Sequence, residues 1–107
     1  MNTFSDWINA ELDTRQWSQA DLHRKSGMSR TVISNVVSGT SVPGWDFCVG
    51  IAKAFNLQPT EVFRRAGLLP SINVQDEVRE RLLYRFALLS EADKTHLMNY
   101  IDFLLSK

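Results

Sequence analysis

The chain has 107 residues, of which 44% are hydrophobic, and this suits one compact domain with a short appendage and excludes global disorder. Its net charge of zero argues mildly against a nucleic-acid partner, although residues 15–41 carry four basic residues against one acid, Asp21. The single cysteine and the lack of any long apolar run lead us to expect a cytoplasmic protein with no disulfide and no membrane partner.

Capping signals predict the first two helices. Thr3 and Asp6 form T-x-x-D ahead of apolar residues at helical spacing, which predicts a helix over 4–15. Ser18 and Asp21 repeat the signal, and Gly27 favours a left-handed stop, so a second helix is expected over 19–26.

Three more helices follow at short intervals. Ser29 is a cap for a third helix over 30–38, which ends at Gly39 before a loop over 40–44. A fourth helix is predicted over 45–55 and stops at Asn56. Pro59 suits the first turn of a fifth helix, because its missing N–H is not needed there.

The last third of the chain predicts a helical hairpin. We expect a helical domain over 1–67, a linker over 68–73 and a hairpin over 74–107, so that the fold is all-α. Each hairpin helix has an apolar stripe. One stripe can seal the hairpin, while the other, near Phe86, Tyr100 and Phe103, favours contact with a second copy of the chain. The alternative is that the hairpin folds onto helices 1 and 5 and enlarges the core.

Residues 18–39 contain two short helices separated by a three-residue turn, which is the arrangement of a helix-turn-helix. Their apolar positions can share one core, and they are Leu22, Met28, Ile33 and Val36. The outer face of the second of these helices then carries Arg30, Thr31, Ser34 and Asn35. Since a helix fits the major groove of double-stranded DNA, we predict that these four side chains contact base edges.

Residues 4–67 resemble the lambda-repressor-like helix-turn-helix family, also called the Xre family. The resemblance depends on SQADL, SGMS, RTVISNVVSG and VPGWDFCVGIAKAFNLQPTEVF, in this order and at the family's spacing. It implies a five-helix domain that binds operator DNA as a two-fold dimer. It also implies base contacts from Arg30 and Thr31, a base or phosphate contact from Asn35, a phosphate contact from Gln19, and sugar-phosphate contacts from Ser29, Thr40 and Ser41.

Three positions depart from the family's pattern. His23 stands where alanine is usual and Ser26 where an apolar residue is usual, and both positions bear on how closely the two helices pack. Val37 replaces a common glutamate near the end of the third helix.

Other residue types admit ordinary alternatives. Arg30 could be a solvated arginine and Asn35 an exposed filler. The aromatic residues Trp7, Trp17, Trp45 and Phe47 could stack on bases, but their spacing favours core roles. His23, His96 and Cys48 lack the clustered ligands or activating neighbours of a metal or catalytic site, so no cofactor and no metal is expected.

Together these features predict a transcriptional regulator that acts as a repressor on a pseudo-palindromic operator and is not an enzyme. The alternative is an antitoxin-like or partner-controlled module, in which the hairpin holds a regulatory protein partner and DNA binding is autoregulatory.

Overall fold

Helix boundaries follow the capping signals closely. A computed structural model describes residues 3–107, and this range contains seven helices and no strand. The helices are α1 Phe4–Arg15, α2 Gln19–Ser26, α3 Arg30–Val37, α4 Trp45–Phe55, α5 Pro59–Arg65, α6 Val74–Ala87 and α7 Glu91–Leu105. The all-α prediction is therefore confirmed, and α3 is one residue shorter than expected because Ser38 is its C-cap.

Two reciprocal capping boxes begin α1 and α2. Thr3 Oγ1 accepts from the N–H of Asp6 at 3.1 Å, and the Asp6 carboxylate accepts from the N–H of Thr3 at 3.3 Å. Ser18 and Asp21 make the same pair of bonds at 3.1 and 2.9 Å. At the C-terminus of α4, Asn56 ends the helix in the left-handed conformation (φ 56°). Its backbone N–H then satisfies carbonyls that the helix leaves free.

The first five helices enclose one hydrophobic core. Its fully buried members come from every one of these helices or their flanks, and they include Ile8, Leu22, Ile33, Ile51, Phe55, Leu57 and Val62. Burying one such side chain contributes roughly 1.5–3 kcal/mol, so this core holds α3 firmly in place beneath its exposed face.

The two unusual residues of α2 tie down the turn into α3. His23 Nδ1 donates to the carbonyl of Met28 at 2.6 Å, and the N–H of Met28 donates to Ser26 Oγ at 3.2 Å. Met28 also packs close to Gly50 of α4, where an added Cβ would lie only 2.9 Å from its sulfur. The departures at His23 and Ser26 therefore fix the turn with polar bonds, and both side chains are partly buried.

The hairpin of α6 and α7 contributes no buried residue to the structure. It meets the first five helices through ion pairs, from Arg64 to Glu80 at 2.6 Å and from Arg65 to Glu77 at 3.1 Å. Arg81 completes the contact by pairing with Glu61 of α5 and Glu11 of α1. The hairpin thus lies on helices 1 and 5 without enlarging the core, and the described chain is elongated, with extents of 47 × 30 × 22 Å.

Candidate nucleic-acid interface

The outer face of α3 is polar and open. Its inner residues Ile33, Val36 and Val37 are buried, which turns the opposite side of the helix outward. Arg30, Thr31 and Ser34 are exposed, and Asn35 is partly buried. The structure therefore places the four predicted base-contacting residues on one helix, with three of them freely accessible.

The N-terminus of α3 differs electrostatically from that of every other helix. Of the seven helices within residues 3–107, α3 alone has no carboxylate in its first turn; the others have Asp6, Asp21, Asp46, Glu61, Asp76 and Glu91 there, among others. Its first residue is instead Arg30. An acid at this end would be favourable, because the helix dipole is positive there. The absence of one leaves the positive end of α3 available to an external anion such as a phosphate.

Arg30 has no ion-pair partner among residues 3–107. Its guanidinium is therefore free to donate two parallel hydrogen bonds to a guanine edge or a phosphate. The residue before Arg30, Ser29, already caps α3, because its Oγ accepts from the N–H of Val32 at 3.2 Å. Ser29 is exposed, so its hydroxyl hydrogen remains available to a backbone phosphate.

The loop after α3 is held against the helix by Asn35. The carbonyl of Asn35 accepts from the N–H of Thr40 at 2.8 Å and from that of Ser41 at 3.0 Å. Thr40 Oγ1 also lies 2.8 Å from Ser38 Oγ. Both Thr40 and Ser41 are exposed, so the fixed loop presents two hydroxyls beside α3.

The start of α2 supplies the remaining predicted contact. Gln19 is the first residue of α2 and is exposed. The one acid of this helix, Asp21, is engaged by Ser18 and pairs with Arg24. The backbone hydrogen bond from Ser18 lowers the pKa of Asp21, with smaller contributions from the Ser18 hydroxyl and from Arg24. Asp21 is therefore a partnered carboxylate, and its charge is balanced locally by Arg24.

Three exposed apolar residues, in α3, in the loop after it and at the start of α4, were not predicted as contacts. Val32 is 46% exposed, Val42 is 88% exposed and Trp45 is 52% exposed. The ring of Trp45 packs edge-on against Phe63 with centroids 4.6 Å apart, but the prediction that it lies in the core is wrong, because half of the side chain is exposed. Its position at the start of α4, next to the loop, was the only sequence signal for an exposed role. No sequence signal indicated that Val32 and Val42 are exposed, because apolar residues are normally assigned to the core.

The other aromatic and nucleophilic residues follow their ordinary interpretations. Trp7 and Phe47 are buried, and Trp17 is partly buried against the core. Cys48 is fully buried, and its burial raises the pKa of the thiol to about 11. A thiol with a pKa this high stays protonated at neutral pH and is therefore a poor nucleophile.

A comparison with protein families matches residues 8–62 of the chain to the helix-turn-helix family. The match contains α2, α3 and the loop between α3 and α4, and it ends within α5. Searches of curated proteins and of solved structures found no match. In residues 3–107, no helix is long and apolar enough to cross a membrane.

Proposed function

Because the chain belongs to the lambda-repressor-like (Xre) helix-turn-helix family and is a DNA-binding regulator, we propose that it is a repressor that occupies a pseudo-palindromic operator as a dimer. One observation carries the proposal: α3 begins without a carboxylate and with the unpaired cation Arg30. This arrangement costs the isolated protein some helix stability, and it suits a helix whose N-terminus approaches DNA.

The proposed DNA contacts fall into two groups, those to base edges and those to the sugar-phosphate backbone. The outer face of α3 enters the major groove, where Arg30, Thr31, Ser34 and Asn35 meet base edges. The exposed polar residues at its margins contact the sugar-phosphate backbone, and these are Gln19, Ser29, Thr40 and Ser41. Val32 is suitably exposed for an apolar contact with a thymine methyl group.

We assign dimerisation to residues 74–107, with residues 1–67 as the DNA-binding domain and 68–73 as the linker. A large apolar set stays exposed on the hairpin, including Leu83, Tyr100 and Phe103 at 61%, 58% and 59%. Exposure on this scale usually marks a contact surface. Two copies joined in this way would place their α3 helices about 34 Å apart, one turn of DNA.

Binding-site selection from random duplex DNA tests the DNA-binding proposal. The wild-type chain should enrich a motif with two-fold symmetry. Arg30→Ala should weaken binding to it by about 1–3 kcal/mol and relax one base position in each half-site. Arg79→Ala is the matched control, since Arg79 is an exposed arginine outside the helix-turn-helix. Recovery of the same motif at the same stringency from Arg30→Ala would show that Arg30 does not contact a base.

The dimer is tested by light scattering on surface variants of the full chain. Deleting the hairpin is unsuitable, because it would leave the buried Glu61 without its Arg81 partner. Phe103→Glu should convert a dimer to a monomer, whereas His96→Glu, on an exposed polar position of the same helix, should not. A Phe103→Glu variant that keeps the dimer mass would remove this surface from the interface.

The exposed hairpin surface also supports the second candidate, control by a regulatory protein partner. An open groove of about 650 Å³ lies between the hairpin and the first five helices, and its apolar wall includes Trp7, Leu82, Phe86 and Leu97. A partner that co-purifies in equal amount and displaces DNA would favour this candidate.

A further inference from the structure

A second cleft lies apart from the face assigned to DNA. It has a volume of about 450 Å³ and is lined by the side chains of Arg15, Lys25, Lys53 and Arg85, together with Trp17 and Asn56. The four cations come from four different helices, α1, α2, α4 and α6. No residue of α3, of the loop that follows it or of the first turn of α4 lines this cleft.

The cleft concentrates unpaired positive charge. The chain has twelve Lys and Arg residues, and within residues 3–107 five of them have no carboxylate at salt-bridge distance. Three of these five line the cleft, namely Lys25, Lys53 and Arg85, and no acid lines it. In a chain with no net charge, this is a strong local excess that a bound anion would relieve.

Two of the cations are held in defined positions. Arg15 pairs with Glu11 at 3.0 Å and donates to the carbonyl of Phe55 at 3.1 Å, so it forms a fixed and largely buried wall. Lys25 Nζ lies 4.9 Å from the centroid of the Trp17 ring. This contact holds an ammonium group at the cleft without neutralising it.

Each cation also lies in the last turn of its own helix, where it interacts favourably with the helix dipole. That effect accounts for a basic residue at each helix end. It does not require four helices to direct those residues into one cleft. The convergence therefore needs a second reason, and three uncompensated cations in a cleft of this size match a compact multivalent anion.

We propose that this cleft binds a small phosphorylated molecule. A phosphate group carries a charge of about −1.5 to −2 at neutral pH and offers several strong acceptors. Arg85 can bind two of its oxygens in parallel, while Lys25 and Lys53 add point charges. A monocarboxylate would leave most of the positive charge of the cleft uncompensated.

A bound phosphate would also connect the two parts of the chain, an effect that rests on the proposed function. Arg85 lies one turn beyond Arg81 on α6, and Lys25 and Lys53 belong to the DNA-binding domain. Bridging them adds a contact between the hairpin and the domain, and this biases how the two α3 helices of a dimer are placed. By linkage, the phosphorylated molecule and the operator then change each other's affinity by the same factor.

The binding step is tested without DNA, by titrating the full chain with pyrophosphate at constant ionic strength and following the indole N–H signals of its three tryptophans by NMR. The Trp17 signal, identified with Trp17→Phe, should shift saturably and more than those of Trp7 and Trp45. Lys53→Gln and Arg85→Gln should each weaken binding roughly tenfold, the loss of one charge-assisted hydrogen bond. Lys107→Gln removes an unpaired cation outside the cleft and should leave affinity unchanged.

Three outcomes would overturn the inference. They are no saturable shift of Trp17 into the millimolar range, equal effects of Lys53→Gln and Lys107→Gln, and a Lys53→Gln variant that loses DNA affinity while the wild type binds no pyrophosphate. The last outcome would assign the cleft to DNA phosphates. Failure of the operator selection alone, with pyrophosphate binding intact, would overturn the proposed function and leave this site standing.

Discussion

Arg81 is the side chain through which the hairpin reaches the most buried charge of the described chain. Its Nε donates to Glu61 Oε2 at 2.9 Å, and its Nη1 lies 3.2 Å from Glu11 Oε1. Burial of the guanidinium disfavours its charged form, but the hydrogen bond and charge of Glu61, with help from Glu11, outweigh this and raise the pKa of Arg81. The Glu61 side chain is only 4% exposed. We therefore expect Arg81→Met to be strongly destabilising.

The magnitude follows from what Arg81→Met leaves behind. Removing one partner of a buried ion pair costs about 3–5 kcal/mol, because the remaining charge is buried without compensation. Arg81 is 27% exposed, and water could reach Glu61 if α6 moved away, so the lower end applies, at about 3 kcal/mol. The other oxygen of Glu61 cannot compensate for the loss, because Oε1 has no hydrogen-bond partner among residues 3–107.

Urea denaturation at one fixed protein concentration measures the effect, because dimerisation would otherwise change the apparent stability. Glu61→Leu combined with Arg81→Met should recover most of the loss, since an apolar pair needs no compensating charge. The coupling in this double-mutant cycle should exceed about 1 kcal/mol. Arg79→Met is the control: Arg79 lies on the same helix but is 73% exposed. Equal effects of Arg79→Met and Arg81→Met would refute the reasoning.

Three further predictions concern single residues. Arg30→Ala should weaken DNA binding but raise the free energy of unfolding by about 0.3 kcal/mol or more, because a cation at a helix N-terminus destabilises the helix. A loss of stability in urea denaturation would contradict this. Cys48 should resist thiol reagents in the folded state, and stability should fall as the pH rises from the ordinary thiol pKa of 9.0 towards 11, because the unfolded thiol ionises first; Cys48→Ala should lack this loss. Because folding lowers the pKa of Asp21, its ionised carboxylate stabilises the folded protein above pH 3.8, and this stabilisation is lost as the pH falls through the pKa of the folded state. Asp21→Asn should therefore reduce the acid sensitivity of the thermal midpoint.

The helices could be predicted from the sequence because their boundaries are set by local chemistry. Ser18 and Asp21 lie three residues apart, and each satisfies a backbone or side-chain group within one turn. Gly27 and Asn56 end their helices through a backbone conformation that depends mainly on the residue itself. The polar face of α3 was predictable for the same reason, since helical periodicity alone separates Arg30 and Ser34 from Ile33.

Contact of the hairpin with helices 1 and 5 was only the alternative prediction, and the ion pairs that make this contact could not be predicted, because they join residues that are distant in sequence. Arg81 lies 20 residues from Glu61 and 70 from Glu11, and a charged residue on a helix is normally solvated. One of the two apolar stripes was expected to seal the hairpin, but the stripe of α6 is not buried: Leu82 is 56% exposed and Val78 is 62% exposed. The apolar pattern was recognised correctly, but the contact to helices 1 and 5 uses the charges beside it.

The conflict between stability and function is localised at one helix end. Six helices of the described chain place an acid in the first turn, where it lowers the energy of the folded protein, and α3 places Arg30 there. Sequences that specify a fold usually satisfy such local rules, and the exceptions concentrate where a ligand supplies the missing partner. Because Ser29 already caps the helix, the exception at α3 concerns charge alone. An approaching phosphate would balance that charge and accept two hydrogen bonds from Arg30, and a guanine edge would accept the same two bonds, so the residue that weakens the free helix would strengthen the complex.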